Sequence, residues 1–121
     1  MVKPLYDTNI LIDFLAGDPR AQAEIARYTD HAISVITWME VMIGTTAQNE
    51  AATRAFLGGF TVVDVDSAVR EQAVKLRQAH RMKLPDAIIW ASAQVHGLTL
   101  VTRNTKDFPA SAPGVRVPYT V

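Results

Sequence analysis

The sequence predicts an α/β protein, a three-layer α/β/α sandwich around a central, mainly parallel sheet of four or five short strands. Segments rich in β-branched residues alternate with segments of helical periodicity, the order that gives a parallel sheet. The strand segments are short and almost wholly apolar, as expected when helices cover both faces of the sheet. The length of 121 residues suits one domain, 1–121, with no linker or internal repeat.

The predicted strands are short apolar runs between turn residues. The run from 60 to 64 is rich in β-branched side chains, and the last run is the shortest. In chain order the strands cover residues 2–6, 31–35, 60–64, 98–102 and 115–117.

Helices are predicted between these strands from periodicity and end signals. Glycine-containing turns at 17–19, 44 and 58–59 end the first, third and fourth helices. The fifth has apolar or alanine side chains at 69, 73, 76 and 79, and Pro85 suits the first position of the sixth. The predicted helices cover residues 8–15, 19–28, 36–43, 47–57, 67–81 and 85–97.

The composition narrows the function. The sequence has no cysteine, which excludes disulfide frameworks, thiolate zinc sites and cysteine nucleophiles. No segment resembles a signal peptide or a membrane span, so we expect a cytoplasmic protein. Twelve Lys and Arg balance twelve Asp and Glu, and this zero net charge counts mildly against a nucleic-acid binder without excluding one.

Two carboxylates lie at the boundaries of predicted strands and helices. Asp7 directly follows the first strand, and ligands of parallel sheets bind beyond the carboxyl ends of the strands. Asp86 lies in the first turn of the sixth helix. Each has an ordinary alternative, because Asp7 would also serve as a helix N-cap and Asp86 would interact favourably with the helix dipole.

Glu40 interrupts the apolar segment Val35–Ile43. We expect a helix this apolar to be largely buried, so that an ionised carboxylate within it needs a basic partner or a bound cation. The cation is the preferred interpretation, and a buried Arg or Lys partner is the alternative.

Asn104 and Asp107 follow the fourth predicted strand, where they are either site residues or ordinary turn residues. Asp13 is expected on a solvated face of the first helix, and Asp64 ranks lower as a strand-end candidate.

If the acids converge, their repulsion is large, about 4 kcal/mol for two charges 4 Å apart at an effective dielectric near 20. Divalent cations would relieve it, and oxygen ligands without cysteine favour Mg²⁺ or Mn²⁺ over zinc. Metal-assisted hydrolysis of a phosphodiester is the chemistry this predicts.

Short motifs spread over nearly the whole chain resemble the PIN domain. They are DTNILID at 7–13, SVITWME at 34–40, LPDA at 84–87, LVTRN at 100–104 and DF at 107–108. Each is weak alone, and together, in the family's order and at this length, they are quite specific. The size resembles the VapC-type toxins of prokaryotic toxin–antitoxin pairs.

The resemblance implies a Mg²⁺- or Mn²⁺-dependent ribonuclease in which Asp7, Glu40 and Asp86 are the main acids and metal ligands. The position matching the family's fourth acid holds Asn104, so the resemblance leaves open whether Asn104 or Asp107 completes the site and whether one or two metals bind. Hydrogen bonds that orient the acids would come from polar neighbours. Those neighbours are Thr8, Asn9, Thr37 and Asn104.

The resemblance also implies partners, namely an RNA substrate, a VapB-like antitoxin that inhibits the toxin, and a second copy in a homodimer. Arg103 and Lys106 flank the fourth strand end and are candidate RNA contacts, since phosphates dominate RNA affinity. Two other functions stay open: a different metal-dependent phosphoesterase, and a catalytically weak scaffold that binds RNA or protein. The RNA target and the antitoxin's identity are not readable from the sequence.

Overall fold

The computed structural model describes residues 2–121 and forms one five-stranded sheet with strand order β3-β2-β1-β4-β5. Every neighbouring pair is parallel. The strands are β1 (Pro4–Tyr6), β2 (Ala32–Ser34), β3 (Thr61–Val63), β4 (Thr99–Val101) and β5 (Val115–Arg116). The helices are α1 (Thr8–Leu15), α2 (Pro19–Ala26), α3 (Val35–Ile43), α4 (Glu50–Leu57), α5 (Ser67–His80) and α6 (Leu84–Val95).

Successive residues of the central strands point into two different apolar cores. In β1, Leu5 belongs to the core shared with α5 and α6, whereas Tyr6 belongs to the core shared with α1, α3 and α4. Leu100 and Val101 divide in the same way in β4. Because side chains alternate across a strand, two covered faces require apolar residues at every position. The predicted three-layer α/β/α class is confirmed.

Helix boundaries differ from the predicted ones by a few residues where turns compete with the helix. The fourth helix begins at Glu50 instead of residue 47, because Asn49 Oδ1 accepts a bond from the Thr46 backbone N–H and closes a turn there. The second ends at Ala26 instead of residue 28. Among residues 2–121, no helix is long and apolar enough to cross a membrane.

The strand order places the ends of β1 and β4 side by side at the centre of the sheet. Connections leave β1 toward β2 and β4 toward β5, in opposite directions, so this is the point where the order of an open parallel sheet reverses. A crevice outside the carboxyl ends of the strands is the usual ligand site at such a point. The backbone N–H of Asp7 donates to the Val101 carbonyl at 2.9 Å and holds the two ends together.

Candidate active site

Asp7 lies at this junction, between β1 and the first turn of α1. Its side chain is 4% exposed, and Oδ1 accepts a bond from the Thr8 backbone N–H at 2.8 Å, which makes Asp7 the N-cap of α1. Oδ2 accepts two further bonds, from Thr102 Oγ1 at 2.8 Å and from Asn9 Nδ2 at 3.0 Å. Asp7 therefore does cap α1, but only Oδ1 is used for the cap. The other oxygen, Oδ2, is oriented by the side chains of Thr102 and Asn9.

The environment of Asp7 disfavours its ionised form. Burial raises the pKa of Asp7 to about 6, and the hydrogen bonds from Thr102 and Thr8 only partly oppose this. The charges of Asp86 and Glu40 contribute a smaller part of the rise to about 6. A pKa this high, set by burial and by like charges, is common at functional sites.

Glu40 lies in the last part of α3 and is exposed, so the predicted burial is wrong. The helix is buried at Thr37 and Val41 and packs partly buried apolar residues against both cores, while Met39 and Ile43 face solvent, Ile43 with 82% exposure. Glu40 needs no buried basic partner as a result. Its Oε1 accepts a bond from Thr8 Oγ1 at 2.7 Å, which draws the carboxylate toward the start of α1.

Thr8 connects the start of α1 to α3 through hydrogen bonds. Its Oγ1 lies 2.9 Å from Oγ1 of the buried Thr37, besides donating to Glu40, while its backbone N–H donates to Asp7. Thr8 thus contacts two of the acids, Asp7 and Glu40, and also Thr37 of α3. Of the residues predicted to orient the acids, Thr8 and Asn9 donate to them directly, whereas Thr37 contacts them only through Thr8.

Asp86 lies partly buried in the first turn of α6, a helix that begins at Leu84 and whose N-cap residue, Lys83, makes no side-chain cap. Burial raises its pKa, the charges of Asp107 and Glu40 raise it further, and Lys83 opposes them. The carboxylates of Asp107 and Glu40 therefore both lie within electrostatic range of Asp86.

Asn104 and Asp107 form a turn after β4 in which the amide organises the acid. Asn104 Oδ1 accepts the backbone N–H groups of Lys106 and Asp107, each at 3.2 Å, while Nδ2 donates to Asp107 Oδ2 at 2.8 Å. The two lone pairs of Oδ1 are thereby used within the turn. Lys106 itself is exposed at this turn.

One open cleft of about 400 Å³ brings together most of the predicted residues, but its lining does not include Thr37, Lys106 or Asp107. Its lining consists of Asp7, Thr8, Asn9, Ile12, Glu40, Asp86, Arg103 and Asn104. Asp107 does not line the cleft, but its charge raises the pKa of Asp86, which does. Among residues 2–121, no three His, Asp or Glu side chains converge closely enough to enclose a metal ion.

Asp13 is not the solvated helix residue that the sequence predicts. Its carboxylate forms an ion pair with Arg103, with Oδ2 at 2.6 Å from Nε, and accepts a bond from the Tyr119 hydroxyl at 2.9 Å. Sequence reasoning also missed Thr102, whose hydroxyl reaches Asp7. The available signal was its position at the carboxyl end of the predicted fourth strand, next to the strand that Asp7 follows.

Three comparisons relate the chain to known proteins. The sequence matches the PIN domain family over residues 5–112. It is 32% identical to ribonuclease VapC19 of Mycobacterium tuberculosis over 124 residues, covering 95% of this chain and 98% of that protein. It is 29% identical to the tRNA(fMet)-specific endonuclease VapC of Shigella flexneri, covering 89% of this chain and 91% of that protein.

A solved structure is closely similar as well. A chain of the toxin–antitoxin complex from Klebsiella pneumoniae superposes with a TM-score of 0.93 at 47% sequence identity, covering 98% of this chain and 100% of that one. These matches confirm the resemblance indicated by the motifs, and the chain belongs to the PIN domain family.

Proposed function

We propose that the chain is a divalent-metal-dependent endoribonuclease toxin, acting as a single nuclease domain over residues 1–121 and inhibited by an antitoxin protein. The observation that carries the proposal is the buried carboxylate of Asp7, which opens on a cleft shared with Glu40 and Asp86. The VapC ribonucleases among its relatives and the toxin–antitoxin complex among its structural neighbours support both the activity and the partner.

The residues present fit a hard divalent cation, Mg²⁺ or Mn²⁺. The cleft offers carboxylate oxygens from Asp7, Glu40 and Asp86, the donor type these ions prefer. A cation would also relieve the repulsion that raises the pKa values of Asp7 and Asp86. Glu40 is exposed at the edge of the cleft, and its carboxylate would hold the ion together with those of Asp7 and Asp86.

Asp107 is the better fourth acid. The oxygen of Asn104 is occupied by two backbone N–H groups, whereas the carboxylate of Asp107 keeps Oδ1 outside the bond from Asn104. Asn104 then acts by holding Asp107 beside Asp86. This assignment makes Asn104 a positioning residue and Asp107 a contributor to the negative charge of the cleft.

When bound, the metal would supply an activated water and stabilise negative charge on the phosphorus centre. The protein's own part is orientation. Asp7 is held by Thr8, Thr102 and Asn9, and Glu40 is held by Thr8. Fixed carboxylates present their oxygens to a cation without further ordering, which is the usual role of hydrogen bonds behind metal ligands.

The outer face of α3 and its neighbour α1 offers a surface for a protein partner. Met39, Ile43, Ile12 and Leu15 are exposed apolar side chains of these two helices, and Ile12 also lines the cleft. Exposed apolar groups in such numbers are typical of interaction sites. We propose that an antitoxin or the second subunit of a homodimer covers them.

The test is cleavage of a mixed RNA pool by the purified chain with Mg²⁺ or Mn²⁺, with and without EDTA. Asp7→Asn removes one charge from the cleft. Asp66→Asn is the matched control, because Asp66 is likewise the N-cap of a helix, α5, and Asn caps equally well, but it lies outside the cleft. Metal-dependent cleavage lost in Asp7→Asn and kept in Asp66→Asn supports the proposal. Cleavage that persists in Asp7→Asn or in EDTA contradicts it, and its absence from the unaltered chain favours the scaffold alternative.

A further inference from the structure

Arg103 is fixed at the edge of the acidic cleft. Its guanidinium donates from Nε to Asp13 Oδ2 at 2.6 Å and from Nη2 to Asp13 Oδ1 at 3.2 Å. Its backbone N–H donates to Asn9 Oδ1 at 3.3 Å, next to Asp7. The side chain is 26% exposed and that of Asp13 is 15% exposed, so the pair lies at the surface without being freely solvated.

Asp13 is held in turn by the C-terminal segment. The Tyr119 hydroxyl donates to the same Oδ2 that accepts from Arg103 Nε. The Tyr119 ring lies under the guanidinium of Arg20, 4.7 Å from its centroid, and Arg20 Nη1 donates to the Thr120 carbonyl at 3.0 Å. Residues 106 positions apart are thus joined in one network that ends on Arg103.

The guanidinium keeps donors for a ligand. Arginine has five N–H donors in a planar fork, and the bidentate pair with Asp13 uses two of them, which fixes the plane and leaves the others for a second anion. Arg103 lines the cleft together with Asp7, Asn9 and Asn104. The charge of Asp7 also reaches it, because Asp7 is among the groups that raise the pKa of Arg103.

We propose that Arg103 binds a phosphate of the RNA substrate beside the acids, and that Asp13 and Tyr119 are positioning residues that hold its guanidinium there. The proposal rests on the ribonuclease function proposed above. The acids repel a polyanionic substrate, so a fixed cation at the edge of the cleft offers the RNA a phosphate site while leaving the carboxylates free for metal. Phosphate contacts of this kind set the register of a nucleic acid.

Electrostatics and positioning predict opposite effects of removing Asp13's charge. A negative charge beside an RNA site weakens binding, so its loss alone should tighten binding. If Asp13 acts by holding Arg103, its loss instead weakens binding, despite the gain in net positive charge. Tyr119→Phe is cleaner still, because it removes one hydroxyl and changes no charge.

The experiment measures two quantities on the full chain: anisotropy of a labelled mixed-sequence single-stranded RNA in EDTA, and steady-state cleavage with Mg²⁺. For Arg103→Met we expect roughly tenfold weaker binding and a salt slope smaller by about 0.7, as for one lost phosphate contact on a single strand. Asp13→Asn and Tyr119→Phe should raise Kd and KM roughly three- to tenfold with kcat within about twofold, since they disturb ground-state binding. Arg103→Lys should bind better than Arg103→Met.

A double variant separates positioning from general damage. Asp13→Asn added to Arg103→Met should not weaken binding further, because Asp13 then has nothing left to position. Glu50→Gln is the control, since it breaks the exposed ion pair with Arg54 far from the cleft lining. Melting curves report folding, and Tyr119→Phe remains informative if Asp13→Asn is unstable.

The outcomes are distinguishable. If the unaltered chain binds and cuts RNA while folded Asp13→Asn and Tyr119→Phe match Glu50→Gln or bind more tightly, the positioning proposal is overturned and the ribonuclease stands. If Arg103→Met also leaves Kd and the salt slope unchanged, the phosphate site is overturned too. If the unaltered chain neither binds nor cuts RNA, both proposals fall together.

Discussion

Thr102 donates its hydroxyl to Oδ2 of Asp7 at 2.8 Å, across the junction between β4 and β1. Thr102 is fully buried, and its Oγ1 also accepts the Asn104 backbone N–H at 3.0 Å. One hydroxyl therefore couples the central acid to the turn that carries Asp107. The bond favours the ionised form of Asp7, opposing the burial that raises its pKa to about 6.

Thr102→Val should raise the pKa of Asp7 above 6 and lower activity at neutral pH. Valine keeps the shape but removes the hydroxyl that favours the carboxylate. We expect a roughly 10- to 100-fold loss of cleavage, the usual cost of losing a hydrogen bond behind a metal ligand. The pKa is measured by carboxyl-carbon NMR titration of the metal-free chain. Thr102→Ser keeps the hydroxyl and should titrate as the unaltered chain does; equal pKa values in the Val and Ser variants would contradict the assignment.

Asp7→Asn should stabilise the metal-free protein at neutral pH while abolishing cleavage. The folded pKa of about 6 lies above the ordinary aspartate pKa of 3.8, so the folded state binds the proton more tightly and stability falls as pH rises between these values. This difference in pKa lowers the free energy of unfolding at neutral pH by about 3 kcal/mol, a cost that Asp7→Asn does not have. The variant loses about 1 kcal/mol through a missing hydrogen bond, so a net stabilisation remains. Urea unfolding in EDTA at pH 7.5 and pH 4 measures this. The variant's advantage should shrink at pH 4, and no advantage at pH 7.5 would contradict the role of burial.

A divalent metal should make the unaltered chain more stable than Asp7→Asn, the reverse of the order expected without metal. A cation that binds only the folded state stabilises it by about 2.7 kcal/mol at one hundred times its Kd. We expect Mg²⁺ or Mn²⁺ to raise the melting temperature of the unaltered chain and of Asp66→Asn, but not of Asp7→Asn. A similar rise in Asp7→Asn would place the metal elsewhere. The readout needs no RNA and so tests the metal separately from the activity.

The acids at the boundaries of strands and helices were the predictable part of this cleft. Asp7 and Asp86 owe their places to the local chain, one following a strand and the other beginning a helix, and both patterns are visible in sequence. The exposure of Glu40 was not predictable, because apolar composition does not say whether a helix is covered on one side or two. A partner protein explains the uncovered side better than a core does.

Contacts between distant segments were beyond sequence reasoning. Asp13 looks like a solvated acid within its own helix, and only the fold brings Arg103 and Tyr119 to it. The same applies to Glu24, which lies in a polar helix yet is buried against β5. Periodicity identifies the face of a helix, but not which charged side chain reaches across the sheet.

Glu24→Gln should destabilise the protein without impairing the cleft. Glu24 is 4% exposed and accepts bonds from Arg116 Nε at 2.7 Å and Nη2 at 3.0 Å, and from the Tyr28 hydroxyl at 2.8 Å. Burial alone would raise its pKa, but these partners outweigh burial and lower it. Weakening charged hydrogen bonds of this type costs about 1–3 kcal/mol.

The loss should depend on pH in a defined direction. Because the folded pKa of Glu24 is lowered from 4.5, its stabilisation is present above pH 4.5 and disappears as pH falls through the folded pKa. Urea unfolding of Glu24→Gln and the unaltered chain at pH 7 and pH 3 checks this. Glu50→Gln, at an exposed pair, should change stability by less than about 1 kcal/mol. A deficit in Glu24→Gln that persists unchanged at pH 3 would show that packing, not charge, is responsible.

Arg81→Gly should stabilise the turn between α5 and α6. Arg81 ends α5 with φ 53° and ψ 32°, the only left-handed conformation at a non-glycine residue within 2–121. This conformation costs an L-residue about 1–2 kcal/mol, and glycine avoids that cost. Glycine also makes the unfolded chain more flexible, which lowers the free energy of unfolding by about 0.5–1 kcal/mol. The expected net gain is about 0.5–1 kcal/mol, measured by urea unfolding at pH 7. Arg81→Ala keeps the Cβ and should show no gain, so a glycine variant no more stable than the alanine variant would contradict strain at this turn.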